Sequence, residues 1–260
     1  MTNIKASILI NGVEFEANLQ EPLDISIELS SEKNPQAWYV DLPKITPVMT
    51  EHFTGSVALG GAVNFRNIFF NPHGHGTHTE CVGHISEEVH SVNDSLKTFF
   101  SDASLITVNP ETLKENDRWM EKGDLVITKD QLESQWDGNS ESLIIRTKPN
   151  TIEKKSKNYS DTNPPYIHPD AMEYIASTEI KHLLLDLPSV DRESDEGKLI
   201  AHRIFWNYPS SINLERTITE MIFVNDKMID GLYLLELQVA PFKNDASPSR
   251  PVLYKLSLKR

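Results

Sequence analysis

Residues 69–85 read FFNPHGHGTHTECVGHI and hold four of the nine histidines of the chain. Imidazole and carboxylate groups this close together are typical ligands of zinc and similar divalent metals. Three glycines interrupt the stretch and allow backbone turns that a Cβ would block. The density of such groups favours a metal site over a surface loop that gathers histidines by chance. The candidate side chains are His73, His75, His78, Glu80 and His84.

The spacing divides these side chains into two sets. On an extended segment, residues two apart point to the same side, so His78, Glu80 and His84 could line one face of a pocket. His73 and His75 have the opposite parity. They reach the same pocket only if the glycines bend the chain between the two sets.

The stretch resembles the signature of the cyclase-type metal-dependent hydrolases, whose best-known member is bacterial kynurenine formamidase. The family pattern is His-x-Gly-Thr-His-x-Asp-x-Pro-x-His, and residues 76–78 match its Gly-Thr-His. His84 matches the closing histidine. Further blocks, at 168–175, 183–191 and 247–254, resemble family blocks in the same order. The resemblance covers most of the chain, from about residue 24 to residue 254.

The chain departs from the family pattern at three positions, which makes it a divergent member. Gly74 stands in the place of the first histidine, with a histidine on either side. Glu80 replaces the aspartate and is one methylene longer, although both are hard oxygen ligands. Val82 replaces the proline. These departures leave open whether His73, His75 or neither supplies the ligand missing at position 74.

The resemblance implies a role for each matching residue. His78 and Glu80 bind the metal, and His84 acts as the general base. His202 and Glu220 complete the metal site from the C-terminal half. Zinc is the expected metal, and manganese is the alternative because carboxylates are a large share of the ligands. Metal-bound water would be the nucleophile.

Composition limits the partners. The formal charge is -13, from 38 acidic and 25 basic residues, which argues against a nucleic-acid partner. No apolar run approaches the ~20 residues that a membrane span requires. The single cysteine, Cys81, excludes an intrachain disulfide. The N-terminus shows no signal sequence, so we expect a cytoplasmic protein without a membrane partner.

The pattern of apolar residues predicts an α/β fold, with a compact mixed β-sheet or barrel-like core and flanking helices in one domain over residues 1–260. Residues 4–19 read as a hairpin around Asn11-Gly12. Apolar strands are expected at 142–147 and in KHLLLDLP, with a helix between them at 168–178, as in βαβ units. Thr128 or Asp130 is expected to begin a short helix.

Other segments give weaker signals. Alternation in 23–30 predicts a half-buried strand, and 31–62 reads as a long loop. A strand after residue 60 is expected to point Val63, Phe65 and Ile68 inward. A short helix is expected within 91–100, and the polar segment 148–166 reads as an exposed excursion.

The predicted function is hydrolysis of an amide by metal-activated water. The resemblance implies an arylformamide of tryptophan catabolism, such as N-formylkynurenine, or a cyclic amide or ester. Trp38, Tyr39 and Phe65 could flank an aromatic substrate. The resemblance also implies a homodimer or homotetramer. Two alternatives remain: a non-catalytic small-molecule-binding relative that has lost the metal, and a metal-free hydrolase that uses Cys81 with His84.

Overall fold

The computed structural model describes residues 4–117 and 119–259. Its strands are β1 (Lys5–Ile10), β2 (Val13–Asn18), β3 (Leu23–Asp24), β4 (Lys44–Pro47), β5 (Met49–Thr50), β6 (Phe53–Thr54), β7 (Arg66–Phe69), β8 (His78–Glu80), β9 (Phe100–Val108), β10 (Glu111–Thr112), β11 (Leu125–Ile127), β12 (Ser142–Thr147), β13 (Tyr166–Ile167), β14 (His182–Leu185), β15 (Thr217–Glu220), β16 (Gly231–Glu236), β17 (Ala246–Pro248) and β18 (Val252–Leu258). Its α-helices are α1 (Val92–Ser95), α2 (Lys129–Glu133), α3 (Pro169–Ala176) and α4 (Ile200–Trp206). Turns of 3-10 helix lie at Val57–Leu59, Val82–His84 and Ile152–Ser156.

One large mixed sheet dominates the fold. Its strand order is β1-β2-β18-β16-β9-β12-β14-β15-β8-β17, and β3 pairs with β18. The four central strands β9, β12, β14 and β15 are parallel, and the strands on both sides of them are antiparallel. The predicted α/β fold with a mixed sheet is therefore confirmed. None of the helices described has the length and apolar character that a bilayer crossing demands.

The parallel strands are buried on both faces, as their continuous apolar sequences predict. Every residue of β12 and β14 is buried. Leu143 and Leu183 belong to one core cluster, which also holds the buried faces of the helices, whereas Ile144 and Leu184 belong to the cluster on the other side. Helices α2, α3 and α4 connect successive parallel strands. This arrangement is the predicted βαβ pattern, because parallel neighbours require a crossover connection.

The hairpin turn and the helix cap predicted from the sequence are confirmed. The first hairpin turns at Asn11 and Gly12, with φ of 49° and 81°, and pairs Ile10 with Val13. The positive φ values at both positions fit a type I′ turn. Thr128 begins α2 with a capping box that it forms with Gln131.

The half-buried strand predicted for 23–30 is wrong beyond residue 24. Ile25 and Ile27 are buried as expected. Their backbone N–H groups, however, donate to the carbonyl oxygen of Pro251 and to the side chain of Thr77 rather than to one neighbouring strand. The alternation of apolar and polar residues therefore predicted correctly which side chains are buried. It did not predict the secondary structure, because the backbone beyond residue 24 does not hydrogen-bond to a neighbouring strand.

The long loop predicted for 31–62 is wrong over residues 44–54, which contribute strands β4, β5 and β6, whereas 31–43 and 55–62 contain no strand of a sheet and no α-helix. β4 pairs with β7 and β5 pairs with β6, outside the main sheet. We call residues 44–69 the arm. Val63, Phe65 and Ile68 were expected to point inward but are 51%, 59% and 57% exposed. A two-stranded ribbon away from the sheet leaves these side chains without a core to cover them. The helix expected within 91–100 is limited to the four residues of α1.

Candidate metal centre

Strands β8 and β15 bring three of the predicted metal ligands together. His78 lies directly opposite Glu220 in the antiparallel register, and Glu80 lies opposite Ile218. Side chains that are paired in this way share a face, as do residues two apart on one strand. His78, Glu80 and Glu220 are 0%, 1% and 3% exposed. The parity prediction for His78 and Glu80 therefore agrees with the geometry, at the carboxyl end of β15.

His202 reaches the same place from helix α4. Its Nε2 lies 3.1 Å from Oε1 of Glu80, and its Nδ1 lies 2.5 Å from Oδ2 of Asp191. The Asp191 carboxylate also accepts from the backbone N–H groups of Ala201 and His202. One buried acid thus holds the first turn of α4 and the orientation of the His202 ring.

His73 enters the site through a turn, and His75 does not enter it. Nδ1 of His73 lies 3.0 Å from Oε2 of Glu80. The ring of His75 is hydrogen-bonded at both nitrogens elsewhere: Nδ1 accepts from the N–H of Asn71, and Nε2 donates to the carbonyl oxygen of Asp41. Gly76, with φ of 80°, provides the bend that the prediction required. Of the two histidines left open by the sequence, His73 is the one in the cluster.

His84 lies at the open side of the cluster. It ends the 3-10 turn Val82–His84, so the turn, and not the parity of an extended strand, carries it to the site. Its Nδ1 lies 3.8 Å from Oε2 of Glu80 and 3.7 Å from Oδ2 of Asp245. The side chain is 30% exposed, compared with 20% for His73 and 2% for His202. His84 is therefore placed where an entering molecule can reach it.

Three buried polar atoms of the cluster form no hydrogen bond of regular geometry, although each has an ionisable group of the cluster within 4.0 Å. They are Nε2 of His78, Oε2 of Glu80 and Oε1 of Glu220. Leaving such atoms unpaired costs about 1–3 kcal/mol each, and more for charged groups. Three groups of potential ligands have donor atoms within 4.8 Å of one another. Two of them share Glu80, and the third contains Asp245: His73/His78/Glu80, Glu80/His84/His202 and His73/His84/Asp245. The donor set of imidazoles and carboxylates fits a zinc or manganese ion.

The charged groups of the cluster shift one another's pKa values. Burial by itself raises the pKa of Glu80, but His84, His202 and His73 outweigh it and hold that pKa well below its ordinary value. Burial raises the pKa of Glu220, and the charge of Glu80 adds to the rise. Two buried carboxylates so close together repel each other, and a divalent cation between them would remove this conflict.

The pKa values of His73 and His202 are raised above the ordinary value of histidine. Burial opposes the charge on His73, yet hydrogen bonds with Asp245 and Glu80 raise its pKa to about 10. Burial likewise opposes the charge on His202, and Asp191 and Glu80 raise its pKa well above the ordinary value. Metal binding displaces a proton from any such histidine that becomes a ligand.

The three aromatic residues predicted to bind substrate occupy different surroundings. Trp38 is half-buried and packs against a cluster that contains Met221, the residue after Glu220. Tyr39 is 70% exposed, and its hydroxyl donates to Asp161. Phe65 is exposed on the arm and contacts Phe53 edge-on, with ring centroids 5.8 Å apart. The substrate contacts of all three remain predictions.

Two residues of the site, Asp191 and Asp245, are not indicated by any pattern in the sequence. Asp191 ends the block LLLDLPSVD, where it looks like an ordinary turn residue. Asp245 lies in an irregular segment before β17, and its Oδ2 accepts from Nε2 of His73 at 2.7 Å. The separation of 172 residues between these two partners gives no local signal.

Residues 23–192 match the family model of the cyclases. Because the match spans more than half of the chain, the chain belongs to the cyclase family. No curated protein sequence matches it.

Solved structures show the same fold. One, described as a predicted metal-dependent hydrolase from Bacillus stearothermophilus, is 17% identical, with 90% of this chain and 98% of that chain covered and a TM-score of 0.60. Isatin hydrolase A from Labrenzia aggregata, bound to benzyl benzoate, is 12% identical. The match covers 92% of this chain and 94% of that chain, with a TM-score of 0.63. An isatin hydrolase bound to the product analogue thioisatinate is 14% identical. The match covers 92% of this chain and 93% of that chain, with a TM-score of 0.62.

Proposed function

We propose that the chain is a metal-dependent hydrolase of carbon–nitrogen bonds other than peptide bonds, acting as one domain over residues 1–260. The observation that carries this proposal is the set of buried atoms on His78, Glu80 and Glu220 that lie among charged neighbours without forming a hydrogen bond. Buried charged groups persist when they are paired or bind a metal. The ligand set in this proposal is His73, His78, Glu80, His202 and Glu220.

These residues would hold a divalent metal, and such a metal would lower the pKa of water and polarise a carbonyl group. His84 is the proposed general base, because it is the most exposed imidazole of the cluster and lies beside Glu80. It accepts a proton from water and returns it to the leaving nitrogen. The oxygen of water bonds to the carbonyl carbon, the carbon–nitrogen bond breaks, and the products are a carboxylic acid and an amine.

The proposed substrate class is an aryl amide, either an N-formyl arylamine or a cyclic amide such as isatin. A cyclic ester, cleaved at its C–O bond, is the alternative substrate. The fold shared with two isatin hydrolases supports the cyclic amide. Trp38, which packs against the cluster that contains Met221, is proposed to contact the aromatic ring, with Tyr39 and Phe65 at the entrance. Aromatic pairs of this kind contribute about 0.5–1.5 kcal/mol beyond the area they bury.

We also propose that the chain forms a homodimer or homotetramer through the arm. Several large apolar side chains on the arm are more than half exposed, and grouped exposed apolar residues mark interaction surfaces. A second copy of the chain would cover them. The residues are Met49, Val57, Leu59, Val63, Phe65, Ile68 and Phe69.

Two measurements test the hydrolase proposal. Elemental analysis of protein purified without chelator is expected to give zinc or manganese in stoichiometric amount. Hydrolysis of a panel containing N-formylkynurenine, isatin and an aryl lactone identifies the bond that is cleaved. His78→Ala is expected to lose both metal and activity. His52→Ala, at a side chain that is 87% exposed, is the matched control and keeps both.

The two alternatives make different predictions. A non-catalytic relative would contain no metal and hydrolyse none of the panel. A thiol hydrolase would be inactivated by alkylation and unaffected by chelator. The environment of Cys81 argues against the thiol mechanism: the residue is fully buried, its Sγ faces the carbonyl oxygen of His90, and burial raises its pKa.

A further inference from the structure

Two histidines of the cluster have the same kind of surroundings. Each directs one ring nitrogen toward Glu80, His202 at 3.1 Å and His73 at 3.0 Å. Each has its other ring nitrogen on a carboxylate, Asp191 for His202 and Asp245 for His73. Two carboxylate–histidine pairs thus approach the two carboxylate oxygens of Glu80. The pair Asp191–His202 approaches Oε1, and the pair Asp245–His73 approaches Oε2.

The position of Asp245 is fixed by the sheet that carries Glu80. Asp245 immediately precedes β17, whose first residue, Ala246, pairs with Glu80. The carbonyl oxygen of Asp245 accepts from the N–H of Cys81 at 3.0 Å. The carboxylate is therefore held relative to Glu80 by the backbone, and its side chain is only 26% exposed.

His73 lies in a turn between β7 and β8 and not in a strand of the sheet. Gly74 accepts from the N–H of Ala37, and a Cβ at position 74 would lie 2.5 Å from Cγ2 of Val40. A side chain at position 74 would therefore meet the segment around Val40. The His73 ring is held by the partners of its two nitrogens and by contacts with the rings of His78 and His84, whose centroids lie 5.4 Å and 4.2 Å away.

We propose that Asp245 is the positioning residue that makes His73 a metal ligand. This inference rests on the proposed metal centre. A carboxylate on Nε2 fixes the tautomer in which Nε2 carries the proton, which leaves the lone pair of Nδ1 facing Glu80. It also increases the basicity of Nδ1, and loss of such a partner typically weakens metal binding by about 10–100-fold.

Cobalt titration of the metal-free chain tests the proposal without an activity assay. Dissociation constants come from competition with a chelator, and the visible absorption of bound Co²⁺ reports its ligand geometry. Asp245→Ala is expected to weaken binding by about 10–100-fold and to change the spectrum. Asp245→Asn keeps an acceptor oxygen and should lose less. Asp94→Ala, at a side chain that is 77% exposed, is the matched control.

A double-mutant cycle shows whether Asp245 acts through His73. If it does, Asp245→Ala adds little in a chain that already carries His73→Ala, because the ring that it positions is absent. Additive losses, or wild-type affinity and spectrum in both Asp245 variants, overturn the inference and leave the metal centre intact. If the wild-type chain binds no cobalt, zinc or manganese, the proposed function and this inference both fall.

Discussion

At the residue scale, Glu80 is the point on which the candidate site converges. His202 approaches one of its oxygens, and His73 and His84 approach the other. A carboxylate can accept at both oxygens, so one side chain can join ligands that come from three separate segments. The extra methylene compared with aspartate is compatible with this arrangement, because both oxygens of Glu80 have partners within 4 Å.

Gly74 is predicted to be required for the shape of the turn that delivers His73. A Cβ added there would lie 2.5 Å from Cγ2 of Val40 and 3.2 Å from the carbonyl oxygen of Ala37. Gly74→Ala should lower the free energy of unfolding by about 1–3 kcal/mol, as overpacking does. Urea denaturation measures the change.

The clash with Val40 can be tested separately. In the double variant Val40→Ala/Gly74→Ala the loss should be smaller than the sum of the two single losses, because the closest contact is gone. Additive losses would show that the Val40 contact does not limit position 74.

His182 is predicted to make the chain sensitive to mild acid. Burial, helped by Lys181 and opposed by Glu141, lowers the pKa of this histidine from 6.5 to about 4. Between these values the unfolded chain binds a proton that the folded chain does not. The free energy of unfolding should therefore fall as the pH decreases from 6.5 to 4, by about 3 kcal/mol in total, and be unaffected by this group above 6.5.

Thermal or urea unfolding across this pH range measures the effect. His182→Gln keeps a group that can hydrogen-bond to Oγ1 of Thr217 and does not titrate, so its stability should depend less on pH between 4 and 6.5. His52→Gln serves as the exposed control. Equal slopes for the wild type and His182→Gln would remove His182 as the source.

At the element scale, the polar excursion at 148–166 is tied to the sheet by one buried charge pair. Nζ of Lys154 donates to the carbonyl oxygen and hydroxyl of Thr147, the last residue of β12. It also donates to Oδ2 of Asp186, directly after β14, at 2.7 Å. The Asp186 side chain is fully buried. The sequence predicts an exposed excursion, but the charged group of Lys154 points inward to the buried Asp186.

Loss of Lys154 should destabilise the fold through the acid it leaves behind. Lys154→Met is expected to cost about 3–5 kcal/mol, because Asp186 becomes a buried charge without its partner. Lys154→Met/Asp186→Asn should recover much of the loss, since no unpaired charge remains. Lys97→Met, in an exposed ion pair, is the control and should change stability by less than about 1 kcal/mol. Equal losses for the two lysine variants would contradict this role.

At the scale of the whole molecule, metal binding is predicted to stabilise the fold, because the ligands come from segments that only folding brings together. Free zinc at about 100 times its dissociation constant should add about 2.7 kcal/mol. Differential scanning calorimetry with zinc, and again after chelation, measures the shift in Tm. His78→Ala should show no shift, and a shift equal to that of the wild type would place the metal elsewhere.

The arm is predicted to control the oligomeric state. Phe65→Ser/Phe69→Ser should convert the oligomer to a monomer in size-exclusion chromatography with light scattering, because it removes two large apolar contacts. Leu9→Ser, at a side chain that is 72% exposed on the first hairpin, should leave the assembly unchanged. An unchanged mass for the arm variant would exclude the arm as the interface.

The sequence by itself determined the elements whose signals are local. The Asn11-Gly12 turn, the capping box at Thr128 and the apolar strand 142–147 depend on neighbouring residues, and each was located correctly. The histidine stretch likewise indicated a metal site, because ligand types and their spacing are written in one segment. His202 and Glu220 were identified only through the family resemblance.

Only the tertiary structure decided which groups meet. The choice of His73 over His75 depends on Gly74 packing against Val40 and on Asp245, which is 172 residues away in sequence from His73. The arm has alternating apolar residues that resemble a core strand, yet it pairs outside the sheet and leaves them exposed. Periodicity shows that a strand has two faces, and the contact partners that cover each face are fixed by the fold.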